Sequence, residues 1–135
     1  MTSVNRASSC AAIATVLGLL VAGCAQTVAT SKNLGQAHDT ALGPVLVAPD
    51  GMTLYTYDKD RDGMSNCSGF CAVAWPPLLA DDNAEATDSF TVIARSGGDP
   101  QWAHNGQPLY LYIGDSKPGD VDGDGVDGVW HVARP

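Results

Sequence analysis

The chain has 135 residues, 44% of them apolar, with 7 basic and 15 acidic side chains and a formal net charge of −8. Such a surface repels a phosphate backbone and gains nothing from counterion release, so nucleic acid is not an expected partner. Fourteen of the 15 acids are Asp and Glu85 is the only Glu, a bias toward turns and loops, because Asp competes with the helical backbone for hydrogen bonds and Glu does not.

The N-terminal stretch, Met1 to Ser9, carries one basic residue, Arg6, and no acid, and an apolar run follows from Cys10 to Ala22. That run suits a signal peptide and falls short of the roughly 20 apolar residues of a spanning helix. Residues 1–23 are therefore predicted to be removed. The junction Val21-Ala22-Gly23-Cys24 resembles the lipobox of bacterial lipoproteins, in which small residues let a peptidase reach the backbone and only a thiol accepts a diacylglycerol thioether. An ordinary signal peptide with a chance cysteine is the competing reading, and Cys10 lies in the removed segment. The resemblance implies that lipidated Cys24 anchors the chain to a membrane. Each buried methylene contributes about 0.8 kcal/mol, and two or more acyl chains hold a protein stably where one does not. Residues 24–41 are expected to be this cysteine and a flexible tether, since Ala25 to Asn33 are small and polar with no hydrophobic period. In a Gram-negative envelope, the absence at Ala25 of the aspartate associated with inner-membrane retention implies the outer membrane, facing the periplasm or the surface.

The mature chain would keep about 112 residues, enough for one small domain. Its six basic and fifteen acidic side chains give a charge of about −9. The first strand candidates are Val45 to Ala48 and the run Leu54 to Tyr57, where Leu54, Thr56 and Asp58 would share one face and Tyr55 and Tyr57 the other, as in a half-buried strand. Next comes Asn66-Cys67-Ser68-Gly69-Phe70-Cys71. With Cys10 discarded and Cys24 acylated, export favours a Cys67–Cys71 disulfide, a free or redox-active pair and a metal site being the alternatives. His38, His104 and His131 are too scattered to complete a soft-ligand set. A helical turn is expected near Ala72 to Trp75 and is stopped by Pro76-Pro77. Asp81 to Asp88 reads as a loop, and further strands are expected over Phe90 to Ala94, Leu109 to Tyr112 and Val129 to Val132.

An internal repeat organises these elements. At a constant offset of 55, Gly51 matches Gly106, Leu54 matches Leu109, Tyr55 matches Tyr110, Tyr57 matches Tyr112, Asp60 matches Asp115 and Trp75 matches Trp130. Self-similarity of this kind predicts two supersecondary units that together complete a core neither builds alone. The expected architecture is mainly β, two related β-meander units in one domain over residues 42–135, repeat 1 at about 42–80 and repeat 2 at about 90–135.

Two Asp runs, Asp58-Lys59-Asp60-Arg61-Asp62-Gly63 and Asp120-Val121-Asp122-Gly123-Asp124-Gly125, match the opening of a calcium loop, where alternate carboxylates converge on one hard cation. The twelfth position, a bidentate Glu in that pattern, is Gly69 in the first run and His131 in the second. No cofactor is therefore expected, and calcium held through Asp58, Asp60, Asp62, Asp120, Asp122 and Asp124 is the alternative to the favoured reading of ordinary solvated turns.

Both copies carry Yx(F/W/Y)xxD, as Tyr55-Thr56-Tyr57-Asp58-Lys59-Asp60 and Tyr110-Leu111-Tyr112-Ile113-Gly114-Asp115. With the Cys67 to Cys71 segment, Trp75-Pro76-Pro77-Leu78, Gln101-Trp102-Ala103, Lys117-Pro118-Gly119-Asp120 and Gly128-Val129-Trp130-His131-Val132, the chain resembles the bacterial secreted-repeat lipoproteins over residues 42–135. The resemblance implies an envelope location and no defined activity. The motif rings and carboxylate would either form a ligand platform for a sugar or quinone or serve the fold of the repeat. No catalytic motif is present. The expected function is a non-catalytic binding or structural module with an unidentified protein or envelope partner, the alternative being a calcium-binding or Cys67/Cys71 redox module.

Overall fold

The computed structural model describes residues 34–87 and 89–135. The expected signal peptide and Cys24 lie outside these residues. The elements in chain order are β1 (Ala37–Thr40), β2 (Gly43–Leu46), β3 (Tyr55–Tyr57), α1 (Phe70–Ala74), β4 (Phe90–Ala94), β5 (Pro100–His104), β6 (Gln107–Pro108), a 3₁₀ turn at Val126–Gly128 and β7 (Trp130–Val132). The protein is a small, mainly β domain made of two repeats.

Strand β1 corrects the tether, which was expected to run to residue 41. It pairs antiparallel with β2, from Ala37 opposite Leu46 to Thr40 opposite Gly43. The residues of β1 are largely exposed, so a hydrophobic period could not announce it; the backbone ladder to the buried Val45 and Leu46 holds it. Strand β5 was also not expected as a strand. It pairs with β4 in a five-residue register and with β6 on its other side, and it buries Trp102 and Ala103 completely. Strand β4 spans the residues expected of it. The Leu109 to Tyr112 run forms no extended strand and instead makes single bridges at Tyr110 to Tyr55 and to Pro77.

The two copies are interlaced. Strand β3 of the first copy pairs with β7 of the second, Tyr55 opposite Val132 and Tyr57 opposite Trp130. On the other side, the first copy's segment after the prolines bridges the second copy at Pro77 to Tyr110 and Leu79 to Gln101. The backbone bonds repeat accordingly. Leu54 donates to Leu46 and Leu109 to Trp102, while Ala133 donates to Leu54 and Leu78 to Leu109, at 2.8 to 3.0 Å. At the centre of this pseudo-twofold arrangement Tyr55 and Tyr110 exchange reciprocal N–H to O bonds of 2.8 and 3.0 Å. Before each central run the paired glycines Gly51 and Gly106 take φ of 85° and 82°, a left-handed turn that a side chain would strain.

Burial on both faces of this centre corrects the half-buried strand. Leu54 and Leu109 join Leu46, Leu78, Phe90 and Trp102 in one cluster. Tyr55 and Tyr110 join Val45, Cys67, Trp75, Trp130 and Val132 in a second. Leu54, Tyr55, Leu109 and Tyr110 are all fully buried, because the interlaced segments cover the face that a lone meander would leave wet. α1 ends at Ala74, and Trp75 leaves the helical conformation before Pro76-Pro77, as the pre-proline restriction dictates, while residues 81–87 form turn and loop.

Candidate groove beside an aromatic stack

The repeat motif is exchanged between the copies. The Tyr55 hydroxyl donates to Asp115 Oδ2 at 2.7 Å and the Tyr110 hydroxyl donates to Asp60 Oδ2 at 2.6 Å. Each Asp also closes the loop that follows it, Asp60 Oδ1 accepting from Asn66 N–H at 2.6 Å and Asp115 Oδ1 from Asp122 N–H at 3.1 Å. Burial pushes both carboxyls above the ordinary carboxylate value, against the lowering effect of these hydrogen bonds. Burial likewise pushes both phenols far up, reinforced by the hydrogen bond to the carboxylate. Tyr55, Asp60, Tyr110 and Asp115 therefore form two clasps between the repeats. Their polar atoms face each other across the boundary between the repeats.

The second aromatic of each motif does different work. Tyr57 stacks on Trp130 with centroids 4.2 Å apart, Trp130 on Trp75 at 3.8 Å, and Trp75 on Tyr112 at 4.2 Å. The result is a continuous four-ring stack whose pseudo-twofold axis passes between the two tryptophans. Tyr55 and Tyr110 meet it edge-on, at 5.4 Å from Trp75 and 5.2 Å from Trp130, an arrangement that ring quadrupoles favour. Gly123 lies flat against it, since a Cβ there would come within 2.8 Å of both the Trp75 and the Tyr55 ring.

Beside this stack a groove of about 480 Å³ is lined by Tyr57, Trp75, Trp130, Phe70, Cys71 and Val129, with Ala74, Lys59 and Asp127. Cys67 and Cys71 form a disulfide with Cα atoms 5.2 Å apart, which pins α1 against the stack. Cys67 is buried, while Phe70 is 95% and Val73 66% exposed. Phe70 thus stands at the edge of the groove in full solvent.

The Asp runs divide differently from the calcium expectation. Asp58 accepts from or pairs with His131 Nε2 at 2.8 Å, Asp60 serves its clasp, and the Asp62 carboxylate lies against Gly106, where a Cβ would strike it. In the second run Asp120 accepts from Ser116 and Lys117, and the Lys117 ammonium holds its carboxyl well below the usual range. Asp124 accepts from Val132 N–H at 2.9 Å. The structure brings neither Asp58, Asp60 and Asp62 nor Asp120, Asp122 and Asp124 together on one point: among the described residues no three His, Cys, Asp or Glu gather to hold a metal ion. Asp60, Asp120 and Asp124 accept from nearby backbone N–H groups, a role that Asp fills as readily as it binds calcium.

One contributor had no signal in the sequence. The Arg95 guanidinium donates to Ser65 Oγ, Gln101 Oε1 and the Cys67 carbonyl, and Ser65 Oγ bonds the Tyr110 hydroxyl at 2.8 Å. A lone Arg in a polar segment reads as surface; only the fold gathers its acceptors, and it thereby links the clasp, the disulfide loop and β5.

Residues 36–79 and 91–134 each match the model of a lipoprotein family described as a secreted repeat of unknown function. The first match begins upstream of residue 42 and takes in β1. No curated protein and no solved structure matches the chain significantly.

Proposed function

The chain belongs to this family of secreted lipoprotein repeats of unknown function, and from that premise we propose that it is a non-catalytic binding module held on a bacterial envelope membrane by lipid on Cys24. The observation that carries the reading is the groove. Its size falls in the range of binding sites, its floor is a rigid stack of rings, and a disulfide fixes its wall. The tyrosine and aspartate groups of the motif are taken up in joining the repeats. That division of labour suits a scaffold presenting one ring-floored groove on a tether from a bilayer. Ala25 after the anchor favours the outer membrane over the inner.

Metabolic labelling of cells with a radioactive fatty acid, followed by separation of the two membranes, tests the anchor and its place. The chain should carry label in the outer-membrane fraction, and Cys24→Ala should carry none. Continued acylation of Cys24→Ala, or an unlabelled soluble wild-type chain, would sink the proposal.

A further inference from the structure

We infer that the groove beside the aromatic stack is a self-association surface, and that its occupant is Phe70 of a second copy of this chain. The inference rests on the reading of the protein as an anchored binding module and names the partner.

Three features sit in one patch. The first is a knob: Phe70 is 95% exposed on α1, and Val73 one turn later is 66% exposed. Ile113, 64% exposed, is tied alongside by its N–H bond to the Ala74 carbonyl at 3.1 Å. Solvent-facing Phe, Val and Ile gathered on one short helix and its neighbour mark an interaction site more than scattered single apolar residues do. The second is a hole, the groove of about 480 Å³ floored by Tyr57, Trp75 and Trp130, and Phe70 itself stands on its edge. A twofold pairing requires that the same patch on both copies carry both halves of the contact, and this patch does.

The third feature is charge. Lys59 and Asp127 also line the groove, and neither side chain makes an ion pair or hydrogen bond among the described residues. A twofold pairing that sets Lys59 of each copy against Asp127 of the other makes two complementary charge pairs from one surface. Lys59 is one of only seven basic residues in a chain of net charge −8. Two copies therefore meet with least repulsion where such a cation is exposed. The patch is small, so association in solution is weak, while anchoring both copies on one bilayer raises their effective concentration as a tether does.

The test is sedimentation of the processed full chain in density-matched detergent over a concentration series, with circular dichroism on every variant. The wild-type chain should pass from monomer to dimer, and Phe70→Ala, which changes an exposed side chain, should weaken the dimer about tenfold or more without altering its thermal transition. Lys59→Asp and Asp127→Lys should each be monomeric alone. Mixed with each other they should dimerise again, because one cross-axis pair is then the native one and the other is restored with its charges exchanged. A wild-type chain that stays monomeric throughout, a dimer indifferent to Phe70, or a mixture no better than its components each overturns the inference. Fatty-acid labelling of the same samples reads the anchor independently, so a failed dimer and a failed anchor are told apart.

Discussion

Trp75 and Trp130 lie ring on ring, centroids 3.8 Å apart and planes within 4°, although each belongs to a different repeat. They occupy the same position in the two copies, and the contact between them is the centre of the domain's symmetry. A residue pair that is equivalent by sequence has become a pair in space, which makes the two repeats one cooperative unit.

Truncating either tryptophan should therefore cost the same whole-domain stability. Trp75→Ala and Trp130→Ala should each lower the free energy of urea unfolding by about 3 to 5 kcal/mol, and the double variant should lose less than the sum, since the stacked pair is broken by the first change. Strictly additive losses would contradict the shared stack.

Neither repeat should fold alone. Residues 34–87 lack the Ala133 N–H and the Trp130 strand, and residues 89–135 lack Leu78 and Asp60, their hydrogen-bond partners in the intact domain. Each fragment should show an unfolded circular dichroism spectrum, and mixing the two should restore β signal. A folded isolated fragment would show that the interlacing is dispensable.

The clasps predict a pH profile with opposite contributions at its two ends. Tyr55 and Tyr110 have phenols raised above their ordinary value of 10.0, so their stabilisation is complete below that value and is lost as pH rises beyond it. These two of the four tyrosines should show phenolate absorbance only as the domain unfolds. Asp60 and Asp115, also raised, contribute most when protonated and lose that contribution as pH rises through their folded values. Acidification through those folded values should thus raise the melting temperature, and Asp60→Asn or Asp115→Asn should blunt the rise. Below pH 3.8 the trend reverses, as the depressed Asp120 carboxylate gives up its bonds from Ser116 and Lys117. A wild-type melting temperature that falls steadily from neutral pH down to pH 3.8 contradicts these signs.

Gly123→Ala should destabilise by about 1 to 3 kcal/mol, the usual range for overpacking, because the added methyl meets the Trp75 and Tyr55 rings at 2.8 Å. Gly97→Ala, where a Cβ meets nothing within 4 Å, is the matched control and should leave the melting temperature unchanged. Equal effects at the two sites would remove Gly123 from the packing of the stack.

Reducing the Cys67–Cys71 bridge should cost roughly 2 kcal/mol by loop-closure entropy. The loss should concentrate in α1 and the groove, read as faster amide exchange over residues 67–75, with the β4–β5–β6 sheet still protected. Uniform loss of protection would mean that the disulfide supports the whole fold.

Several properties were legible in the letters. The 55-residue offset picked out Tyr55, Tyr57, Asp60 and their partners because duplicated units need the same side chains at the same turns. Mainly β structure followed from branched and aromatic runs between glycines, and the spacing of Cys67 and Cys71 in an exported chain led to the disulfide. Strand β1 was not legible, since its exposed polar residues are held only by backbone bonds to β2. Nor was Arg95, whose acceptors come from distant segments. The Asp runs left two readings open, because loop capping and calcium binding use the same residue at the same short spacing, and only the direction of each carboxylate separates the two. What the sequence determined was the set of repeated parts, since local pattern fixes turns, strand faces and equivalent positions. The tertiary structure alone decided that each Tyr would bond the other copy's Asp, that four rings would stack through the centre, and that Phe70 would stand in solvent beside them. Those are choices of partner between chain segments some 50 to 70 residues apart, and no local pattern encodes them.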